Sequence, residues 1–102
     1  MYNEGTIIAL SSPPGSGAIS IIRLSGKDSI SKTDKFFESK SGKKLKDCNG
    51  YSISYGNFLV NKEVLDEVVI SLYKGPHSYT GEDVVEISCH GSNYIQQEII
   101  SS

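Results

Sequence analysis

The residues able to do chemistry in this chain gather around one segment, Pro76-His77-Ser78-Tyr79-Thr80-Gly81-Glu82-Asp83-Val84-Val85-Glu86-Ile87-Ser88-Cys89-His90-Gly91. It runs from a polar turn through two adjacent carboxylates into an alternating stretch. A carboxylate fixed at the edge of a strand is acceptor-only and bidentate. It suits an amidine-like face, an exocyclic amino group beside a ring N–H, such as guanine and pterin rings present. Glu82 is the candidate for that role. The plainer alternative is a turn in which Gly81 supplies the backbone angle and Glu82 faces water. Arg23 closes the row Ile19, Ile21, Arg23 on one face of an earlier strand, where a charge needs a partner or solvent. It could pair with a ligand carboxylate or hold Glu82 in place.

Other constellations carry less. Cys89 and His90 are strand neighbours and point to opposite faces, so they do not readily share one metal ion. Cys89 as a nucleophile would have His77 nearby but no orienting third group, and reads as a buried thiol. Pro13-Pro14-Gly15-Ser16-Gly17-Ala18 invites comparison with a phosphate loop. A Walker loop needs G-x-x-x-x-G-K-[ST] between a strand and a helix. Here a strand follows Gly17, and Asp28 follows Gly26-Lys27. Two prolines and two glycines make a tight link between strands.

The elements that must position these residues follow from periodicity. Thr6–Leu10 predicts a buried strand and Ala18–Leu24 a second. Ser25 fits a helix N-cap with Asp28 three residues on, and that helix would run to about Phe37, burying Ile30 and Phe37. Residues 39–50 are rich in Ser, Gly and Lys and predict an exposed loop. Tyr51–Phe58 alternates as a half-buried strand, Asn61-Lys62 is a turn, and apolar Leu65–Tyr73 predicts a central strand. Val84–His90 is the last strand, and a final helix starts near Ser92 or Asn93. The order β-β-α-β-β-β-α mixes hairpins with crossovers. It predicts an α+β fold with two layers, a mixed and mostly antiparallel sheet with helices packed on one face.

Length and charge bound the rest. The chain has 102 residues, room for one domain with a modest core. A formal net charge of −2 excludes a strongly basic nucleic-acid footprint over the whole domain. Seven of the ten basic residues nevertheless fall between Lys27 and Lys46. That stretch could touch RNA phosphates, although its interspersed acids fit a solvated face. Two cysteines, no basic region ahead of the first apolar run and no apolar run of membrane-spanning length predict a cytoplasmic protein with reduced thiols. The last residues, Ile95–Ser102, read as a helix stopped in mid-course. The chain is therefore expected to be an amino-terminal piece, residues 1–102, of something longer.

Two long motifs then resemble a family. Pro13-Pro14-Gly15-x-Gly17-Ala18-Ile19-x-Ile21-Ile22-Arg23-Leu24-Ser25-Gly26 and Pro76–Gly91 are similar, in order and spacing, to the amino-terminal domain of the MnmE (TrmE) tRNA-modification GTPase family. The resemblance implies a domain like the tetrahydrofolate-binding domain of the glycine-cleavage aminomethyltransferase. It implies a homodimer that binds a 5-formyl- or 5,10-methylene-tetrahydrofolate, with Arg23 and Glu82 as folate contacts. A further basic contact would lie past residue 102. A helical domain with an inserted G domain, absent from this chain, would carry the GTP, potassium and magnesium sites. With the flavoprotein MnmG (GidA), the family adds a carboxymethylaminomethyl group to C5 of the wobble uridine (U34) of certain tRNAs. The chain departs from the family pattern at Ser16, where Arg is frequent, and at Ser92, where a second Gly is usual. The residues also admit a plain dimerisation and partner-recruitment module without cofactor. No catalytic group or metal ligand set is expected within these residues.

Overall fold

A computed structural model describes residues 6–10, 17–48, 50–75, 82–91 and 93–101. Residues 11–16, residues 76–81 with His77, and Ser92, to which the sequence assigns the tight link, the polar turn and a helix start, lie outside the described residues. The elements are β1 (Thr6–Leu10), β2 (Gly17–Gly26), α1 (Ser29–Asp34), β3 (Phe37–Ser39), a 3-10 turn (Leu45–Asp47), β4 (Tyr51–Val60), β5 (Glu63–Tyr73), β6 (Val84–Gly91) and α2 (Asn93–Ser101).

The strands form one six-stranded sheet in the order β1-β2-β6-β5-β4-β3. Every described neighbour pair is antiparallel. β4 and β5 form a hairpin through Asn61 and Lys62, whose φ angles of 53° and 67° match the left-handed turn that suits strand twist. β6 then inserts between β2 and β5, so residues some sixty positions apart in sequence become ladder partners.

Alternation divides the sheet cleanly. Ile22, Leu24, Val68, Ile70, Leu72, Val85, Ile87 and Cys89 point to one face. There they form a single core with Phe58, Ile30 of α1, Leu45 of the 3-10 turn and Ile99 of α2. Both helices therefore cover the same face, as the sequence predicts. β5 is an interior strand, also as predicted, but β1 is an edge strand with Ala9 exposed.

The first helix differs from expectation. β2 runs on to Gly26, so Ser25 pairs with Ile7 and Val84 in the sheet instead of capping a helix. Gly26 turns the chain at a φ of 129°, a conformation open to glycine. Its N–H donates to Asp83 O, and Ser29 Oγ donates to the carbonyls of Gly26 and Asp83. The helix then lasts only six residues, Ser29–Asp34. It ends because Phe36 stacks on Phe58 at 5.6 Å while Leu59 N–H donates to Phe36 O. Phe37 is thus pulled into β3, a strand not expected from the sequence. Gly56 permits that edge: an added Cβ would lie 2.2 Å from Glu38 O.

Candidate functional site

The face of the sheet opposite the helices carries the chemistry. Its rows are Ile19, Ile21, Arg23 and Ser25 on β2; Glu86, Ser88 and His90 on β6; Glu67, Val69, Ser71 and Tyr73 on β5; and Tyr51, Ile53, Tyr55 and Asn57 on β4. Much of it is apolar yet exposed: Ile53 is 76% accessible, Ile19 67% and Tyr51 63%. Tyr51 and Tyr73 meet edge to face at 5.8 Å.

Arg23 stands on this face, directly across the β2–β6 ladder from Glu86. Its Nε donates to Glu86 Oε2 at 3.0 Å, and Nη2 reaches the same oxygen. Glu86 is the more enclosed partner, its side chain 18% accessible against 48% for Arg23. Among the described residues, Glu86 Oε1 and Arg23 Nη1 have no protein partner. The pair thus presents an acceptor and a donor side by side above an apolar floor.

Glu82 takes a different position. It is exposed, in the bend ahead of β6, four residues before Glu86 in the chain. The structure does not join it to Arg23. Asp83 beside it is engaged structurally: its Oδ1 accepts Gly75 N–H at 2.9 Å and its carbonyl accepts Gly26 N–H at 3.0 Å.

Cys89 and His90 point to opposite faces, as alternation predicts. Cys89 is 3% accessible, and burial first, then the charge of Asp66, pushes its thiol up to about 11. It is protonated at neutral pH and a poor nucleophile. His90 is tied to Asp66, whose Oδ1 lies 2.6 Å from His90 Nδ1 and whose Oδ2 accepts His90 N–H at 2.9 Å. The described β5–β6 ladder ends at Val69–Ser88, so the buried Asp66 carboxylate takes over the next N–H. Beyond it, Glu67 accepts a hydrogen bond from Tyr55, which chiefly raises that phenol's pKa, and pairs with Lys40 at 3.5 Å.

The lysine-rich stretch lies on the helical side. Lys27, Lys35, Lys44 and Lys46 line a shallow groove of about 550 Å³ beside α1. Asp34 within it is committed to the N–H groups of Leu45 and Lys46. No group of three metal-ligating side chains occurs among the described residues, and no helix is long and apolar enough to cross a membrane.

Sequence reasoning singled out Arg23 but missed Glu86 and Asp66. A signal existed for each. Glu86 shares the strand row of Ser88 and His90, and Asp66 heads the inward row Val68, Ile70, Leu72.

A family model described as GTP-binding protein TrmE N-terminus matches residues 6–102. Among curated relatives, the chain is 48% identical over 100 residues to the tRNA modification GTPase MnmE of Flavobacterium johnsoniae, covering 98% of this chain and 22% of that protein. It is 48% identical over 99 residues to the protein of that name from Parabacteroides distasonis, covering 95% and 22%. The figure for Clostridioides difficile is 44% over 91 residues, covering 89% and 20%. The chain thus spans about a fifth of the length of the relatives it matches.

Proposed function

The chain belongs to the family of the GTP-binding protein TrmE N-terminus, and from that premise we propose that it is the folate-binding and dimerising domain of a tRNA-modification GTPase. The observation that carries the reading is the Arg23–Glu86 pair on an apolar, helix-free sheet face. A reduced pterin has a flat apolar body and an amidine edge. The floor of Ile21 and Val69 suits the body, and a carboxylate with a spare oxygen suits the edge. The residues present therefore fit a one-carbon tetrahydrofolate, in its 5-formyl or 5,10-methylene form. Arg23 holds the Glu86 carboxylate in orientation and offers its remaining N–H groups. Glu82, exposed ahead of the same strand, is the other candidate acceptor.

In this reading the domain resembles the folate domain of the glycine-cleavage aminomethyltransferase, and its open face pairs with a second copy. The whole protein works in the cytoplasm with the flavoprotein MnmG on the C5 position of tRNA wobble uridine (U34). GTP, potassium and magnesium act in a G domain outside these residues. The relatives' names support the tRNA and GTPase parts.

The experiment is thermal unfolding with and without 5-formyltetrahydrofolate. A ligand that binds only the folded state raises Tm, by about 2.7 kcal/mol of stabilisation at a hundredfold excess over Kd. No change in Tm at millimolar ligand refutes the reading. The exposed Ile19, Tyr51 and Ile53 favour a second reading, a pure dimerisation and recruitment module without cofactor. Sedimentation separates the two: a stable dimer indifferent to folate supports the second.

A further inference from the structure

The Asp66–His90 pair plays no part in the reading above, and its geometry is unusual for a purely structural contact. Asp66 is buried, its side chain 7% accessible, whereas the His90 side chain is 70% accessible. A histidine recruited only to satisfy a buried carboxylate would be expected to go inside with it. Here the carboxylate is held inside by the His90 backbone N–H and the imidazole is presented outward. With Nδ1 engaged by a carboxylate, the neutral ring keeps its proton on Nδ1, and Nε2 becomes a lone-pair acceptor.

That ring lines a recess of about 200 Å³ with Ile19, Glu67, Val69, Ser88 and Cys89, at the junction of β2, β5 and β6. Ile19 lies directly across the ladder from His90. The floor is apolar and flat. His90 brings the acceptor Nε2 and Ser88 a hydroxyl, while the Glu67 carboxylate is already shared with Tyr55 and Lys40. Such a lining disfavours an anion and suits a flat group bearing N–H donors. The recess sits on the same β6 row as Glu86, four residues or about 13 Å along.

We propose that this recess is a second subsite on the open face, taking a flat N–H-bearing ring or aromatic amine, with His90 Nε2 as the accepting contact and Asp66 as the residue that positions it. The assignment of the ring to a folate rests on the function proposed above; the class of ligand does not. The charged groups facing the ring are Asp66 and Glu67 of β5, and Glu67 is in turn paired with Lys40 and with Tyr55 of β4. β2 contributes the uncharged Ile19, Cys89 points to the other face, and α2 packs on that other face. Protonation of His90 converts Nε2 from acceptor to donor. Binding of an N–H donor therefore weakens once the ring gains its second proton in acid.

The test uses nitrogen NMR of the imidazole together with titrations of 5-formyltetrahydrofolate and of free pterin. The Nδ1–H tautomer is expected near neutral pH, and an Nε2–H ring overturns the proposal. His90→Ala is expected to bind about tenfold more weakly near neutral pH, the loss of one hydrogen bond. His90→Gln keeps an acceptor and is expected to bind within about threefold of the parent, but with the weakening in acid abolished. Binding by His90→Ala equal to the parent, or an acid profile unchanged in both variants, overturns the proposal while leaving the folate reading intact. Pterin binding that is weakened in His90→Ala, without folate binding, overturns the folate reading and leaves the subsite standing. Binding of neither probe overturns both.

Discussion

Replacing Glu86 by Gln separates the two things its carboxylate can do. Within the free protein, Glu86 pairs with Arg23 across β2 and β6, with Arg23 about half exposed. An ion pair this open to water contributes on the order of 0.2–1 kcal/mol after screening, so Glu86→Gln lowers folding stability by less than about 1 kcal/mol. Gln has nearly the same shape and leaves the ladder partners in place. Toward a pterin edge the effect is larger. The spare Oε1 accepts a charge-assisted hydrogen bond there, and such a bond contributes about 1.5–3 kcal/mol. Gln offers one neutral acceptor and turns an N–H₂ donor against a ligand donor. Loss of that charged bond predicts affinity at least about tenfold weaker. Calorimetric titration with 5-formyltetrahydrofolate, beside urea unfolding of the same two proteins, reads both quantities. Glu82→Ala in parallel tests the other candidate acceptor. A Glu86→Gln variant that binds as tightly as the parent refutes the argument from the Arg23 pair. If Glu82→Ala alone weakens binding, the acceptor lies in the bend ahead of β6.

Three further outcomes concern the scaffold. Lys62 holds a φ of 67° in the β4–β5 turn; Lys62→Gly relieves that strain and raises unfolding stability by about 0.5–1 kcal/mol in urea melts. Gly56→Ala places a Cβ against the Glu38 backbone carbonyl, so β3 must move aside, lowering stability by about 1–3 kcal/mol with loss of protection in hydrogen exchange at Phe37–Ser39. The Cys89 thiol, pushed up from 9.0 to about 11, keeps its proton longer folded than unfolded. Its stabilising contribution is complete below about pH 9 and is lost as pH rises toward 11. Stability therefore falls across that window in urea melts of the parent and falls less steeply in Cys89→Ala.

The strands were largely legible along the chain because their apolar residues recur with a period of two and their turns are marked by Gly, Pro and Asn. Cys89 buried and His90 outward follow from the same alternation. The first helix was overestimated for a local reason: Ser25 and Asp28 look like a cap, but Gly26 and the Asp83 carbonyl keep the chain in the sheet until residue 26. Phe37 reads as helical core until β4 lies beside it to pair with, and beside Phe36 to stack against.

Alternation along the strands that are legible in the sequence divides their residues between two faces, and hence marks Arg23 as a charge on an apolar row. The sequence also carried the family, through two motifs that span the described β2 and β6. It did not determine which carboxylate answers Arg23. Glu82 and Glu86 lie on one segment with similar claims, and only the antiparallel register of β2 on β6 sets Glu86 opposite Arg23. The same holds for Asp66, which joins His90 because the described β5–β6 ladder stops at Val69–Ser88 and leaves an N–H for a side chain to take. Periodicity is a property of one strand. Pairing depends on where each strand buries its apolar row against the others, and that is decided only when the sheet closes over its core.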